Sequence, residues 1–419
     1  MAKHTLQELK QWQALPLDIK IRMTETRIRM WVNEYGEDGV YVSFSGGKDS
    51  TVLLDIVRNM GYDIPAVFVD VPTQYPELRD FVKTFDNVEI LKPKLSFMQV
   101  CERYGFPLIS KETSDCVAGA KKYLQSIAES DTIVRQTDRQ TDRQTGKVSL
   151  LLRQTYRERK IQEADRRSIS HRSRGGVIES IANSEELANL MENDKYTKNG
   201  SVRRLALMLG MLTQDCHVRS VGSIEEKDRS MFSQEKYKFF LEAPFDISNK
   251  CCNVMKKDPL HRYAKETGRL PITAQMADES RLRTQQWLQN GCNGFEMKSP
   301  ISNPMSFWVE QDVLEYIKTR NLPICSVYGE VVEDSGEQID GQISLIEEKP
   351  KYKTTGCQRT GCMLCGFGCH LEKEPSRFEM LKETHPKMYN LLDVCKNNGV
   401  TFREAIEWTN EHGNLHIRL

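Results

Sequence analysis

Apolar residues follow two patterns along the chain, and their order predicts a mixed α/β fold. Short runs rich in β-branched residues, at 40–42, 65–70, 88–91 and 270–274, predict buried strands. Segments with helical spacing of apolar residues lie between several of these runs. Because a strand, a helix and a second strand form a right-handed crossover in a parallel sheet, we expect an α/β fold with a doubly wound, mostly parallel sheet.

The same patterns divide the chain into regions of different character. Residues near the N-terminus have helical apolar spacing that is interrupted at Leu15-Pro16, which predicts helices that pack on the sheet. We expect a helical lead-in at 1–35, a sheet-forming domain at 36–117 and 236–300, a charged and partly flexible insertion at 118–235, and a cysteine-rich, mainly helical region at 301–419.

The insertion is polar and contains an exact tandem repeat, QTDRQTDRQT, which has no hydrophobic face. Near residue 201, SVRRLALMLGML predicts an amphipathic helix. A run of basic residues interleaved with acidic ones indicates a solvated face in preference to a nucleic-acid contact. The basic residues are Arg153, Arg157, Arg159, Lys160, Arg166, Arg167, Arg172 and Arg174.

Bulk composition excludes some classes of protein. Of the 419 residues, 39% are hydrophobic and 28% are charged, and the formal net charge is zero. A zero net charge argues against a protein that coats nucleic acid through its overall field. No apolar run approaches the length of a transmembrane helix, and the polar start MAKHTLQELKQW does not resemble a signal peptide. We expect a cytoplasmic protein without membrane contact.

The segment from Val40 to Leu54, VYVSFSGGKDSTVLL, predicts an anion-binding site. A β-branched strand is followed by two consecutive glycines and then by an apolar helical pattern. Glycines allow the backbone to approach a ligand closely, and a helix N-terminus presents free N–H groups to anions. Lys48 adds a cation and Ser50 and Thr51 add hydroxyl groups, so phosphate is the expected kind of ligand.

This loop does not have the Walker A spacing, because Asp49 stands between the lysine and the hydroxyls. The pattern S-G-G-x-D-S instead resembles the PP-loop of the adenine-nucleotide α-hydrolases, whose fold is Rossmann-like. Further segments resemble the phosphoadenosine-phosphosulfate reductase family within that superfamily. They are VPTQYPE after the second strand, NKCCNVMKKDP near 250 and TTGCQRTGCMLCGFGCHLEKEPSRF at 354–378.

The resemblance implies a site for ATP or a sulfonucleotide together with Mg²⁺, in which Lys48, Asp49 and Asp70 act in catalysis. Asp70 follows a predicted parallel strand, where ligands of such sheets bind. Arg281 and Arg283 follow a later strand, and their guanidinium groups match oxyanions. The expected nucleotide-binding residues are Ser43, Ser45, Gly46, Gly47, Lys48, Asp49, Ser50, Thr51, Asp70, Arg281 and Arg283.

Cysteine placement predicts a second chemical centre. The spacing Cys362-x-x-Cys365 is typical of zinc sites and of iron–sulfur sites. Together with the tandem pair Cys251-Cys252, it resembles the [4Fe–4S] ligands of the iron–sulfur adenylylsulfate reductases. A competing ligand set, which resembles that of the DNA-phosphorothioation sulfurtransferase, includes Cys357 and Cys369. Zinc and reduced thiols without metal stay open as alternatives.

The expected function is that of an iron–sulfur-dependent, ATP-using enzyme that adenylylates an acceptor for sulfur transfer and releases pyrophosphate. Family reductases attack the sulfate with a cysteine near the C-terminus, whereas this sequence ends TNEHGNLHIRL and its last thiol is Cys395. A sulfonucleotide reductase is therefore the alternative, and a non-catalytic nucleotide or redox sensor is a third. DNA, tRNA and a small molecule are open as acceptors, as are a sulfur-donor or reductant protein and an oligomeric state.

Overall fold

The computed structural model describes residues 3–137, 182–195, 199–334 and 350–419. The chain forms two compact units. The first unit comprises Met1–Lys94 and Val254–Cys362, and the second comprises Leu95–Asn253 and Met363–Leu419. The predicted QTDR repeat and the run of basic residues from Arg153 to Arg174 lie outside the described residues.

The elements are numbered in chain order. The strands are β1 (Val40–Ser43), β2 (Ala66–Val69), β3 (Val88–Leu91), β4 (Leu108–Ile109), β5 (Leu270–Ile272), β6 (Asn293–Gly294), β7 (Ile301–Ser302), β8 (Val331–Glu333), β9 (Tyr352–Thr354), β10 (Gly366–Phe367), β11 (Lys396–Asn397) and β12 (Val400–Thr401). The helices are α1 (Leu6–Gln13), α2 (Leu17–Tyr35), α3 (Lys48–Asn59), α4 (Pro76–Val82), α5 (Phe97–Tyr104), α6 (Lys111–Thr137), α7 (Glu185–Asp194), α8 (Asn199–Leu209), α9 (Lys250–Cys252), α10 (Asp258–Thr267), α11 (Arg281–Asn290), α12 (Glu310–Arg320), α13 (Arg377–Thr384), α14 (Pro386–Tyr389), α15 (Leu391–Val394) and α16 (Phe402–Gly413).

A six-stranded sheet organises the first unit, in the order β3-β2-β1-β5-β7-β6. Its pairings are parallel except that of β6 with β7. The mostly parallel sheet predicted from the sequence is confirmed. Strand β1 lies in the interior, with Val42 opposite Ala66 on one side and Ile272 on the other. The loop after β1 therefore begins at the carboxyl edge, where such sheets bind ligands.

Both faces of this sheet are buried at β1 and β2, which explains the continuous apolar runs of these two strands. Val40 and Val42 point into a large core that includes Trp31 of α2. Tyr41 points to the opposite face and packs with Tyr263 of α10, their ring centroids 5.2 Å apart. The N-terminal helices expected at 3–35 are present as α1 and α2, and Pro16 precedes the second helix.

The compact units divide the chain at other points than the expected domain boundaries. Residues 301–362, expected in the C-terminal region, belong to the first unit because Trp308 and apolar residues of α12 join the sheet core. A buried ion pair joins α2 to α12, with Lys20 Nζ 2.6 Å from Asp312 Oδ2. Residues 95–117, expected in the sheet-forming domain, belong to the second unit.

The described part of the expected insertion contributes to the apolar interior of the second unit. The predicted amphipathic helix near residue 201 is α8, which packs along α6 and buries Val202, Leu205 and Leu209 at helical spacing. Elsewhere in this unit the rings of Phe106 and Phe402 stack with centroids 4.7 Å apart.

The C-terminal segment expected to be helical contains a hairpin as well as helices. Strands β11 and β12 pair antiparallel around Asn398 and Gly399, which have φ of 50° and 78°. An Asn-Gly pair favours a two-residue hairpin turn because both residues tolerate positive φ. The mainly helical character expected for 301–419 therefore does not extend to residues 396–401.

Within the described residues, no helix combines the length and the apolar character that crossing a membrane requires.

Candidate functional site

The glycine loop joins the end of β1 to the first turn of α3 and is held by its own hydroxyl groups. Ser50 Oγ donates to the carbonyl of Gly47 at 2.9 Å and lies 3.0 Å from Ser45 Oγ. Thr51 Oγ1 donates to the same carbonyl at 3.0 Å. Gly46 has φ of 72° and packs against α4, which explains why a glycine is needed there.

Lys48 is the first residue of α3, and its ammonium group is almost completely buried. Its side chain is 5% exposed. Nζ lies 2.9 Å from Glu310 Oε1 and donates to the carbonyl of Gln358 at 2.8 Å. The cation predicted from the loop sequence is thus already held by a carboxylate of α12 and by one backbone oxygen.

The segments before β8 and after β9 form a second wall that faces the loop. The Lys48 N–H donates to Tyr328 Oη at 3.2 Å, and Tyr328 Oη lies 2.7 Å from Thr360 Oγ1. Burial raises the pKa of Tyr328, so its phenol stays protonated at neutral pH. Backbone bonds from Gly356 N to Tyr328 O and from Cys357 N to Val327 O, both 2.9 Å, extend the β8–β9 pairing and fix this wall.

A cavity of about 220 Å³ lies between the loop and this wall. Carboxylates outnumber cations among its lining residues, so an anionic ligand needs an accompanying cation to enter it without electrostatic cost. The lining residues are Ser45, Gly47, Lys48, Asp49, Met276, Asp278, Glu279, Glu310, Tyr328, Arg359 and Thr360.

One lining carboxylate, that of Asp49, has a buried oxygen atom. Its Oδ1 is buried and makes no hydrogen bond with any described residue. Burial raises the pKa of Asp49, and the charge of Glu310 adds to this, whereas Lys48, Arg359 and Arg283 lower it. A buried carboxylate oxygen without a partner fits a ligand that brings a positive charge.

The two arginines predicted to bind phosphate occupy different environments. Arg283 is partly buried and pairs with Glu279, a cavity residue, while burial lowers the pKa of its guanidinium. Arg281 begins α11 and is exposed, and it does not line the cavity. Its role in binding stays a prediction.

Asp70 follows β2 at the carboxyl edge of the sheet, as predicted. Its Oδ1 accepts from Arg79 of α4 at 2.6 Å from Nη2 and 2.8 Å from Nε, and Asp70 does not line the cavity. Ser43 is the last residue of β1 and also lies outside the lining. Their roles stay predictions, whereas Ser45, Gly47, Lys48 and Asp49 line one cavity.

The cysteines of the predicted metal centre fall in both units. Cys357 and Cys362 belong to the first unit, and Cys251, Cys252, Cys365 and Cys369 belong to the second. In the part of either unit that the structure describes, no three His, Cys, Asp or Glu side chains form a group that could hold a metal ion. The metal centre and its ligand set stay predictions.

Seven cavity residues were not predicted to belong to the nucleotide site: Met276, Asp278, Glu279, Glu310, Tyr328, Arg359 and Thr360. For Arg359 and Thr360 a signal existed, because both lie in the quoted motif TTGCQRTGC, but we interpreted that motif only as a source of thiols. Glu310 and Tyr328 carry no local signal, since the contacts that place them join segments far apart in the sequence.

Comparison with known proteins identifies a family of domains to which the chain is similar. The family model described as the phosphoadenosine phosphosulfate reductase domain matches residues 39–123 and 213–366. No curated protein matches the chain. The matched segments contain the glycine loop, the residues of α11 and α12, and the segment from Tyr328 to Thr360. Because they make up more than half of its length, the chain belongs to the phosphoadenosine phosphosulfate reductase domain family.

Proposed function

We propose that the chain binds ATP in the cavity beside Lys48 and uses it to adenylylate an acceptor for sulfur transfer. Membership of the reductase-domain family supports a related nucleotide-binding enzyme. The observation that carries the proposal is that the glycine loop brings Lys48 and Asp49 into one cavity at the N-terminus of α3. A helix N-terminus with a lysine is suited to the phosphates of a nucleotide.

Asp49 fits the divalent cation that accompanies ATP, because its buried Oδ1 has no partner among the described residues. Magnesium is commonly held by one or two carboxylates together with substrate phosphates. When bound with the nucleotide, it would neutralise phosphate charge in a cavity that is rich in carboxylates. Lys48 would exchange Glu310 for a phosphate oxygen, and the loop would orient the polyphosphate.

In the proposed reaction, an acceptor oxygen attacks the α-phosphorus of ATP and forms a new P–O bond. The bond from the α-phosphorus to the bridging oxygen breaks, and pyrophosphate leaves with that electron pair. A hydrosulfide ion then attacks the activated carbon or phosphorus of the acceptor and forms a bond from that atom to sulfur. The bond to the adenylylated oxygen breaks, AMP leaves with that electron pair, and the hydrosulfide proton passes to solvent. No step passes through a cysteine-bound cluster.

Burial of Cys395 favours ATP over a sulfonucleotide. The sulfonucleotide route needs an accessible thiolate to attack sulfur. Cys395 is 0% exposed in the second unit, and its thiol shares a hydrogen bond with Cys101. That hydrogen bond lowers the pKa of Cys395 and, with burial, raises the pKa of Cys101. A low pKa alone does not make an enclosed thiol a nucleophile for an external sulfate.

The test uses the full chain with α-labelled ATP, Mg²⁺ and either a DNA duplex or unfractionated tRNA. Acceptor-dependent release of pyrophosphate is expected, with loss of at least 100-fold in Lys48→Gln, on the order of a catalytic charge contact. Lys83→Gln, which removes an exposed lysine of the same unit, is the matched control. If neither pyrophosphate nor AMP appears, while adenylylsulfate yields sulfite over many turnovers, the reductase is the correct function.

A further inference from the structure

We propose that Arg359 contacts the charged group at the far end of the bound nucleotide. That group is a tetrahedral oxyanion attached to adenosine 5′-phosphate, either the terminal phosphate of ATP or the sulfate of a sulfonucleotide. The inference rests on the proposed nucleotide site and assigns it a binding residue from the segment between Cys357 and Cys362.

The first argument is the pairing of the positive charges around the cavity. Lys48 pairs with Glu310, and Arg283 pairs with Glu279. Arg359 also lines the cavity, yet its guanidinium makes no hydrogen bond or ion pair with any described residue. A guanidinium without a protein partner at a cavity wall keeps its donors available for an oxyanion, which it can bind bidentately.

The second argument is that the backbone on both sides of Arg359 is anchored. The carbonyl of Gln358 accepts from Lys48 Nζ at 2.8 Å, and Thr360 Oγ1 lies 2.7 Å from Tyr328 Oη. These bonds fix the backbone at Arg359, while its side chain is exposed. Anchoring of this kind reduces the entropy lost when the side chain contacts a ligand.

The third argument is electrostatic. Arg359 lines the same cavity as Asp49, the carboxylate that we assign to the cation of the nucleotide. Asp278, Glu279 and Glu310 add negative charge to the same cavity. An anionic ligand therefore depends strongly on Arg359, the lining guanidinium that makes no ion pair with a described residue.

The experiment measures dissociation constants of the full chain for Mg·ATP, AMP and adenylylsulfate. Arg359→Ala is expected to weaken binding of ATP, of adenylylsulfate or of both by about tenfold or more, and of AMP by less than about twofold. Arg359→Lys keeps the charge without the planar fork and is expected to restore binding in part. Lys353→Ala, which removes an exposed charge from β9, is the matched control.

The outcomes separate the two sources of the oxyanion. A loss confined to ATP assigns the contact to a phosphate, and a loss confined to adenylylsulfate assigns it to the sulfate. If Arg359→Ala binds both ligands as the wild type does, the inference is overturned and the proposed function stands. If the wild-type chain binds neither nucleotide, the inference and the proposed function are overturned together.

Discussion

The ammonium of Lys48 and the carboxylate of Glu310 lie 2.9 Å apart, which pairs the cation of the glycine loop with the first residue of α12. Lys48 is nearly inaccessible, whereas the Glu310 side chain is 48% exposed, so solvent screens this ion pair in part. A phosphate that binds Lys48 must compete with Glu310 for the ammonium. The affinity of the site for nucleotides is therefore set partly by a carboxylate outside the loop.

Glu310→Gln is predicted to strengthen binding of ATP by about three- to tenfold, equivalent to ~1 kcal/mol. The amide keeps a hydrogen-bond acceptor for Lys48 but removes a negative charge from the cavity. Titration calorimetry with Mg·ATP measures the effect. Glu315→Gln, on the same helix but outside the cavity lining, is expected to leave the affinity unchanged. Weaker binding in Glu310→Gln would show that the carboxylate holds the cation and does not compete with phosphate.

Gly46→Ala is predicted to destabilise the protein more than Gly61→Ala. Both glycines have positive φ, which costs an alanine about 1 kcal/mol. A Cβ at Gly46 would lie 3.0 Å from Val82 Cγ2 and 3.1 Å from Leu78 Cδ2, whereas nothing lies within 4 Å at Gly61. The total loss at Gly46 is expected to be about 2–3 kcal/mol. Urea denaturation measures the free energy of unfolding of both variants. Equal losses would show that Val82 and Leu78 of α4 move aside without an energetic cost.

Asp49→Asn is predicted to stabilise the fold while weakening Mg²⁺-dependent nucleotide binding. The asparagine removes an ionised, buried carboxylate whose Oδ1 has no partner among the described residues. The expected gain is about 1 kcal/mol, or ~3 °C in Tm. Thermal unfolding and calorimetry on the same samples measure the two effects, and a destabilised variant would contradict this assignment.

The stability gained in Asp49→Asn is expected to change with pH in one direction. Burial raises the pKa of Asp49 above its usual 3.8, so its neutral form is favoured in the folded state. The wild-type carboxyl therefore costs most stability above the raised pKa, where it is ionised. The Tm difference between variant and wild type is expected to shrink as pH falls through that pKa and to vanish below about pH 3.8. A difference that grows with acidity would contradict the assignment.

Tyr328→Phe is predicted to lower the free energy of unfolding, because the phenol connects the second wall of the cavity to the glycine loop. The phenol is 2% exposed and contacts both the Lys48 N–H and Thr360 Oγ1. Its removal leaves the helix N–H without this partner, at a cost of about 1–3 kcal/mol. Denaturation measures the loss, with Tyr352→Phe in β9 as the control. An unchanged stability would mean that water replaces the phenol.

The local chemistry of the glycine loop was predictable because its signal is contiguous. A strand, two glycines, a lysine and two hydroxyls follow one another, and the structure has them as β1, the loop and α3. The parallel sheet was predictable for the same reason, since each strand is a short apolar run. Residues 396–401 were missed because the Asn398-Gly399 turn was read as part of a helical pattern, although that pair is a hairpin signal.

The rest of the site depends on contacts between distant segments, which no local pattern encodes. Glu310 reaches Lys48 only because the apolar face of α12 packs into the sheet core. Tyr328 and Thr360 meet the loop because backbone pairing extends past β8 and β9. The cysteines of the motif TTGCQRTGC predict thiol chemistry, whereas its Arg359 and Thr360 line the cavity.

Hydrogen–deuterium exchange of the full chain with and without Mg·ATP tests the central claim, that the nucleotide binds between the glycine loop and the second wall. The account predicts slower exchange in peptides that cover residues 45–52 and 355–361, and no such slowing in Lys48→Gln. Binding of Mg·ATP that slows exchange only outside these two segments, or no binding at all, would contradict it.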